Sequence, residues 1–145
     1  MAITPMLTRW ARYAEVGLLG LGVQVGTILL LTEVAGVHYA VATLIAIAGT
    51  VLHNFLWHER WTWADRPARS PGQRRARLGR FTVLSALVAI AGGVALTALY
   101  VEWLGLPVAV ANLIAVATVT AANFVGAHHL VFTPDGLATG AGASK

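Results

Sequence analysis

Cysteine is absent, and charged residues make up only 11% of the 145-residue chain. Without thiols there are no disulfides and no thiolate metal sites, so a metal would need histidine and carboxylate ligands. Five histidines are present, yet none precedes a carboxylate by three or four residues in a metal-site spacing. The chain is therefore read as holding no metal and no cofactor. No nucleophile elbow, phosphate loop, HExxH or pair of membrane carboxylates occurs, so no catalytic residue is assigned and no enzyme is expected. What fills the chain instead is hydrocarbon. Apolar residues reach 57%, whereas soluble domains hold about 45–50% and are about 25% charged. With a mean hydropathy of +0.71, the polar surface is too small to cover a soluble core, and the excess must face lipid.

Four stretches lack any Asp, Glu, Lys or Arg: 16–32, 34–58, 81–101 and 103–134. A hydrocarbon core of about 30 Å is crossed by about 20 residues at 1.5 Å each. Helices are accordingly expected near 13–33, 39–58, 80–102 and 107–127. The runs are continuous rather than alternating, which selects helices over a barrel. The first is too long, and its end too poor in small residues, for a cleaved signal peptide. Seven of the ten Lys and Arg lie within 60–80, with Arg9 and Arg12 before the first run and Lys145 at the end. The connectors at Glu33 and Glu102 carry none, so both termini and the central loop are expected inside. That basic loop lacks interleaved aromatics and a soluble domain to carry it, which argues against nucleic acid.

Shifting the chain by 69 residues lays GVHYAVATLIA (36–46) on GLPVAVANLIA (105–115), and Asn54-Phe55 on Asn123-Phe124. One residue of slippage upstream pairs Arg12-Tyr13 with Arg80-Phe81, and downstream 60–63 falls on 129–132. The expected fold class is thus an all-α integral membrane protein: four transmembrane helices as two parallel-repeat hairpins, both termini cytoplasmic. A single transmembrane domain would cover 1–133, with repeat 1 at about 12–63, an Arg-rich linker at 64–79 and repeat 2 at about 80–132. The Gly- and Ala-rich tail 134–145 is expected to be disordered.

At 100° per residue, Thr43, Thr50, Asn54 and His58 share one face of the second helix, and Asn112 and Asn123 one face of the fourth. Lipid disfavours such polar stripes, so they should face inward, either as interhelical hydrogen bonds or as ligand contacts. Arg12, Arg60 and Arg80 fall at headgroup level, where a guanidinium forks onto phosphate oxygens or simply snorkels. Arg66, Arg69, Arg74, Arg75 and Arg77 read as linker charges drawn to anionic lipid. Glu15 follows Arg12 by three residues and is expected to pair with it. Gln24 sits between Gly22 and Gly26, a spacing that lets another helix approach closely. Trp57, Trp61, Trp63 and Trp103 suit an aromatic belt, and indoles also stack on sugars. His58, His128 and His129 are expected near one cytoplasmic mouth.

On these residues, Arg12-Tyr13, Gly36, Asn54-Phe55 and Arg60-Trp-Thr-Trp63, repeated by Arg80-Phe81, Gly105 and Asn123-Phe124, the chain resembles the GtrA-like family over about residues 10–133. The family pattern after Asn-Phe has Asn where His58 stands and a basic residue where Glu59 stands. GtrA-like proteins are small membrane components of cell-surface polysaccharide synthesis, and the resemblance implies flipping of a polyprenyl-monophosphate-linked sugar across the cytoplasmic membrane. Arg12, Arg60, Arg80 and His58 would take the phosphate. Asn54, Asn123, Gln24 and Asn112 would bond sugar or phosphate, and Trp61 would stack on the sugar. A homodimer, with Gly22 and Gly26 in contact, would complete a path too narrow for four helices. A related eukaryotic subunit anchors dolichol-phosphate-mannose synthase, which implies the alternative of a membrane scaffold for a cytoplasmic glycosyltransferase. A small multidrug exporter would need a carboxylate deep in the membrane, and Glu15 lies near the surface.

Overall fold

The computed structural model describes residues 3–88 and 92–133, and every regular element among them is helical. The chain divides into two compact units, Met1–Pro67 and Ala68–Lys145. The boundary falls inside the expected linker.

In the first unit, α1 (Ile3–Leu29) runs into a π turn, π1 (Leu30–Val34). α2 (Tyr39–Trp57) runs likewise into π2 (His58–Thr62). α1 begins well ahead of the expected start at 13. The continuous apolar helix Pro5–Val34 has 30 residues, about 45 Å of rise against about 30 Å of hydrocarbon. Its surplus turns at the start carry Arg9 and Arg12. The chain reverses through Gly36, whose φ of 64° lies in the left-handed region that glycine enters without a Cβ penalty. His38 then caps α2 by accepting from the Ala40 N–H at 3.4 Å.

The two helices pack along small residues. Tyr13, Val16 and Gly20 on α1, and Ala42, Ala46, Thr50 and Phe55 on α2, are buried, and small side chains let membrane helices approach closely. Gly20 is the tightest point, because a Cβ there would collide with the side-chain amide of Asn54. Gly22 and Gly26, where a close helix approach was expected, meet no described residue within 4 Å of an added Cβ.

In the second unit, α3 (Pro71–Leu87) starts inside the expected linker. Ser70 caps it by accepting from the Gln73 N–H at 3.2 Å, Pro71 holds the first position, and Gln73 Oε1 accepts from the Arg69 N–H at 2.6 Å. This is a capping box in all but one register step. Residues 89–91, within the third expected span, lie outside the described residues. Beyond them comes α4 (Gly93–Leu104), which ends at Gly105 with φ 63°, and α5 (Val108–Gly126) runs into π3 (Ala127–Val131). The expected tail, 134–145, also lies outside the described residues.

Among the described residues, three helical stretches are long and apolar enough to cross a bilayer, Pro5–Val34, Tyr39–Thr62 and Val108–Val131, with a shorter apolar helix at Ala95–Leu104. Large apolar side chains such as Leu18, Leu44 and Leu113 are left exposed along them, as in helices that face lipid rather than water. The protein is therefore a multi-pass, all-helical membrane protein. Local geometry recurs at the 69-residue spacing. Gly36 and Gly105 share their left-handed φ. Ala42 and Ala46, like Ala111 and Ala115, are fully buried. After each of π2 and π3 a buried aromatic closes the turn, Trp63 N–H to His58 O and Phe132 N–H to Ala127 O, both at 2.8 Å.

Candidate functional site

In the first unit the π turn decides where side chains go. Because π2 closes its backbone over five residues, His58, Glu59, Thr62 and Trp63 all turn inward and are buried. Tyr13 stacks on His58 with ring centroids 4.4 Å apart and planes 8° from parallel. Trp63 meets both rings edge-on, at 5.9 Å and 5.5 Å, and His58 Nδ1 shares a hydrogen bond of 3.0 Å with Thr62 Oγ1. Each aromatic contact adds about 0.5–1.5 kcal/mol beyond burial. The cluster pins the exit of α2 to the start of α1. His58 was expected at an open mouth as a phosphate donor, but only 2% of it is exposed. It packs between Tyr13 and Trp63 instead.

With the exit pinned, a cleft of about 450 Å³ opens beside it, lined by Thr8, Arg9, Arg12, Trp61, Thr62 and Asp65 among others. At roughly 30 Å³ per water, it holds the volume of about 15 waters, ample for a polar headgroup. Arg9 and Arg12 are three residues apart and share a helix face. Arg12 Nη1 donates to the Trp61 carbonyl at 3.3 Å, one of the orphan carbonyls at a helix end. Its guanidinium carbon lies 5.7 Å from the Trp61 ring centroid. That single backbone contact leaves the guanidinium's other N–H groups for a ligand. Arg9 Nη2 bonds Asp65 Oδ2 at 2.8 Å, and Arg66 Nε stands 3.6 Å from the same oxygen. The cleft is thus cationic on balance, with one carboxylate engaging Arg9.

The other expected ligands are dispersed. Arg60 opens into a separate cleft of about 190 Å³ with His53, Leu56 and Trp57. Arg80 is exposed on α3 in the second unit. Trp61 does not offer a bare ring to a sugar, because Arg12 lies over it and Trp57 meets it edge-on at 6.3 Å. Asn54 lies against Gly20, its Oδ1 3.1 Å from His53 Nδ1. Gln24 is half-buried, and the buried Oγ1 of Thr50 has no hydrogen-bond partner among the described residues. In the second unit, Asn123 Oδ1 is likewise buried and unpartnered, while Asn112 Nδ2 donates to Thr97 Oγ1 at 3.5 Å, a tie between α4 and α5. Glu15 is exposed and forms no ion pair with Arg12 or any other described residue.

Sequence reasoning took Arg9 as a topology marker and did not single out Asp65. The spacing of Arg9 and Arg12 was the available signal for the first. Asp65 had none, since its contact spans 56 positions. Arg77, read as a linker charge, is instead 2% exposed with its guanidinium 5.8 Å from the Phe132 ring centroid.

The family model for the GtrA/DPMS transmembrane domain matches residues 12–132. The chain belongs to the GtrA/DPMS transmembrane-domain family. No individually curated protein matches it. The GtrA/DPMS match begins at Arg12 in the cleft and ends at Phe132, the aromatic that closes π3. Membership in this family fits a role in polysaccharide synthesis or the handling of sugar-linked lipids.

Proposed function

We propose that the protein moves a polyprenyl-monophosphate-linked sugar from the inner to the outer leaflet of the cytoplasmic membrane. In this reading the end of α3 and α4 together make a third crossing, both termini are cytoplasmic, and the two hairpins point the same way. The observation that carries the proposal is the cleft at the surplus end of α1, where Arg9 and Arg12 meet Trp61. Two guanidinium groups suit the single negative charge of a phosphodiester between prenyl chain and sugar, and a site bordering hydrocarbon lets the prenyl chain stay in lipid. Asn54 and Gln24 lie deeper along the same helix pair and supply polar groups below the headgroup. The unpartnered Asn123 Oδ1 and the exposed Arg80 are the corresponding groups of the second unit. Purified protein in liposomes should transfer a labelled polyprenyl-phosphate sugar between leaflets, and Arg12→Gln should suppress the transfer. Absence of transfer by the wild-type protein would remove the proposal.

The scaffold reading draws on α3. Its capped first turns carry Arg74 and Arg75, with Arg75 exposed, a basic helix suited to an acidic patch on a cytoplasmic glycosyltransferase. Scrambling 64–79 does not separate the readings, because it would also break the Ser70 cap and displace the buried Arg77. Arg75→Glu does: it should abolish glycosyltransferase recruitment in the scaffold reading and leave leaflet transfer intact in the transport reading.

A further inference from the structure

The smaller cleft is not a branch of the larger one. The two share no lining residue, and the edge-on contact of Trp57 with Trp61 stands between them. Its walls are His53, Leu56, Trp57 and Arg60, one stripe of α2 and π2 at spacings of three and four residues. Along that stripe His53 and Arg60 are separated by about 10 Å of helix rise. Arg60 occupies the end that leaves the apolar span.

Three features select an occupant. First, Arg60 is exposed and makes no hydrogen bond or ion pair with any described residue, so all its donors are open to an anion. Second, no carboxylate lines the cleft, in contrast to Asp65 in the larger one, and the neighbouring Glu59 is buried away from it. Third, the remaining walls are greasy: Leu56 and Trp57 present hydrocarbon and an indole, and 47% of Trp57 is exposed along a lipid-facing helix. A soluble anion gains nothing from such walls. A phosphate attached to acyl chains gains from both. His53 closes the deeper end, its Nδ1 engaged by Asn54 Oδ1.

We infer that His53, Leu56, Trp57 and Arg60 form a seat for an anionic membrane phospholipid, whose phosphate is held by Arg60 and whose glycerol and first methylenes lie on Trp57 and Leu56. The site is distinct from the proposed cargo cleft. It does not depend on transport, so a protein that moves no lipid-linked sugar would still hold this lipid.

Native mass spectrometry of the full chain, released from detergent micelles doped with phosphatidylglycerol or phosphatidylcholine, tests the inference. The wild-type protein should retain phosphatidylglycerol several-fold more than phosphatidylcholine. Arg60→Gln should lower that retention about tenfold or more, as loss of a forked, charge-assisted contact requires, while Arg12→Gln should preserve it. Equal retention of the two lipids, full retention by Arg60→Gln, or its loss in Arg12→Gln would overturn the assignment. Millimolar inorganic phosphate should not displace the lipid, and displacement would show a soluble-anion site instead. A second measurement needs no variant: phosphatidylglycerol brominated in its upper acyl chain should quench tryptophan fluorescence more than equally brominated phosphatidylcholine, and equal quenching would refute the site.

Discussion

Replacing Gly20 by alanine tests the contact on which the orientation of Asn54 depends. A Cβ at this position would lie 2.8 Å from Asn54 Cγ and Nδ2, closer than carbon and nitrogen approach without a shift. Asn54 would have to turn away, giving up its contact with His53. Overpacking of this kind costs about 1–3 kcal/mol. Alanine returns about 1 kcal/mol through its better helix propensity, so the net loss is about 0–2 kcal/mol. At Gly22 and Gly26 nothing lies within 4 Å of the added carbon, so the same substitution should leave stability unchanged or raise it by up to about 1 kcal/mol. The double variant Gly20→Ala/Asn54→Ala removes the collision and keeps the propensity gain. It loses an intramembrane hydrogen bond worth about 0.6 kcal/mol, and should return close to wild type. Unfolding midpoints of the detergent-solubilised protein in a titration with denaturing detergent, arranged as a double-mutant cycle, read these differences. If Gly20→Ala matches Gly22→Ala, or if the double variant is no better than Gly20→Ala alone, Asn54 does not sit against α1.

Arg12→Gln should weaken binding of a polyprenyl phosphate by about 10- to 100-fold, the equivalent of one charge-assisted hydrogen bond at about 1.5–3 kcal/mol, with Arg12→Lys intermediate because it loses the fork; equilibrium binding in nanodiscs checks both. Asp65→Asn should tighten that binding by up to about fivefold, since the carboxylate competes for Arg9 through an exposed ion pair worth about 0.2–1 kcal/mol, and the same titration reads it. His58→Ala should cost about 3 kcal/mol of stability, two aromatic contacts and one hydrogen bond, and leave binding by the folded protein unchanged; the equivalent position holds Ala127, so the backbone tolerates it. Asn112→Ala should leave leaflet transfer at the wild-type rate, because its amide ties α4 to α5 through Thr97, and the liposome assay decides.

Three of the four expected spans were legible because a bilayer imposes a one-dimensional rule: a long enough run without charge must be helical. The starts and ends were less so. Arg9 and Arg12 suggested that α1 begins after them, yet the helix carries them as its surplus turns. Ser70-Pro71-Gly72-Gln73 holds a helix start that reads as a flexible linker when Pro and Gly are weighed alone. The π turns had no signal. Phase arguments at 100° per residue put His58 on an inward stripe with Asn54, but they stop applying where the backbone widens, and so they missed that Trp63, read as a belt residue, turns inward as well.

Taken alone, the order of residues determined that this chain lives in a membrane as helices, that glycine turns at 36 and 105 reverse it, and that its basic residues gather outside the longest apolar runs. Each of those follows from local chemistry: hydrocarbon solvation, a left-handed φ, a charge that lipid excludes. Only the tertiary structure decided that Arg12 belongs with Arg9, Trp61 and Asp65 while Arg60 belongs with His53 and Trp57. Neighbouring side chains on one helix diverge by 100°, and a contact across 56 residues depends on how two helices are pinned together. Here an aromatic cluster of Tyr13, His58 and Trp63 does the pinning.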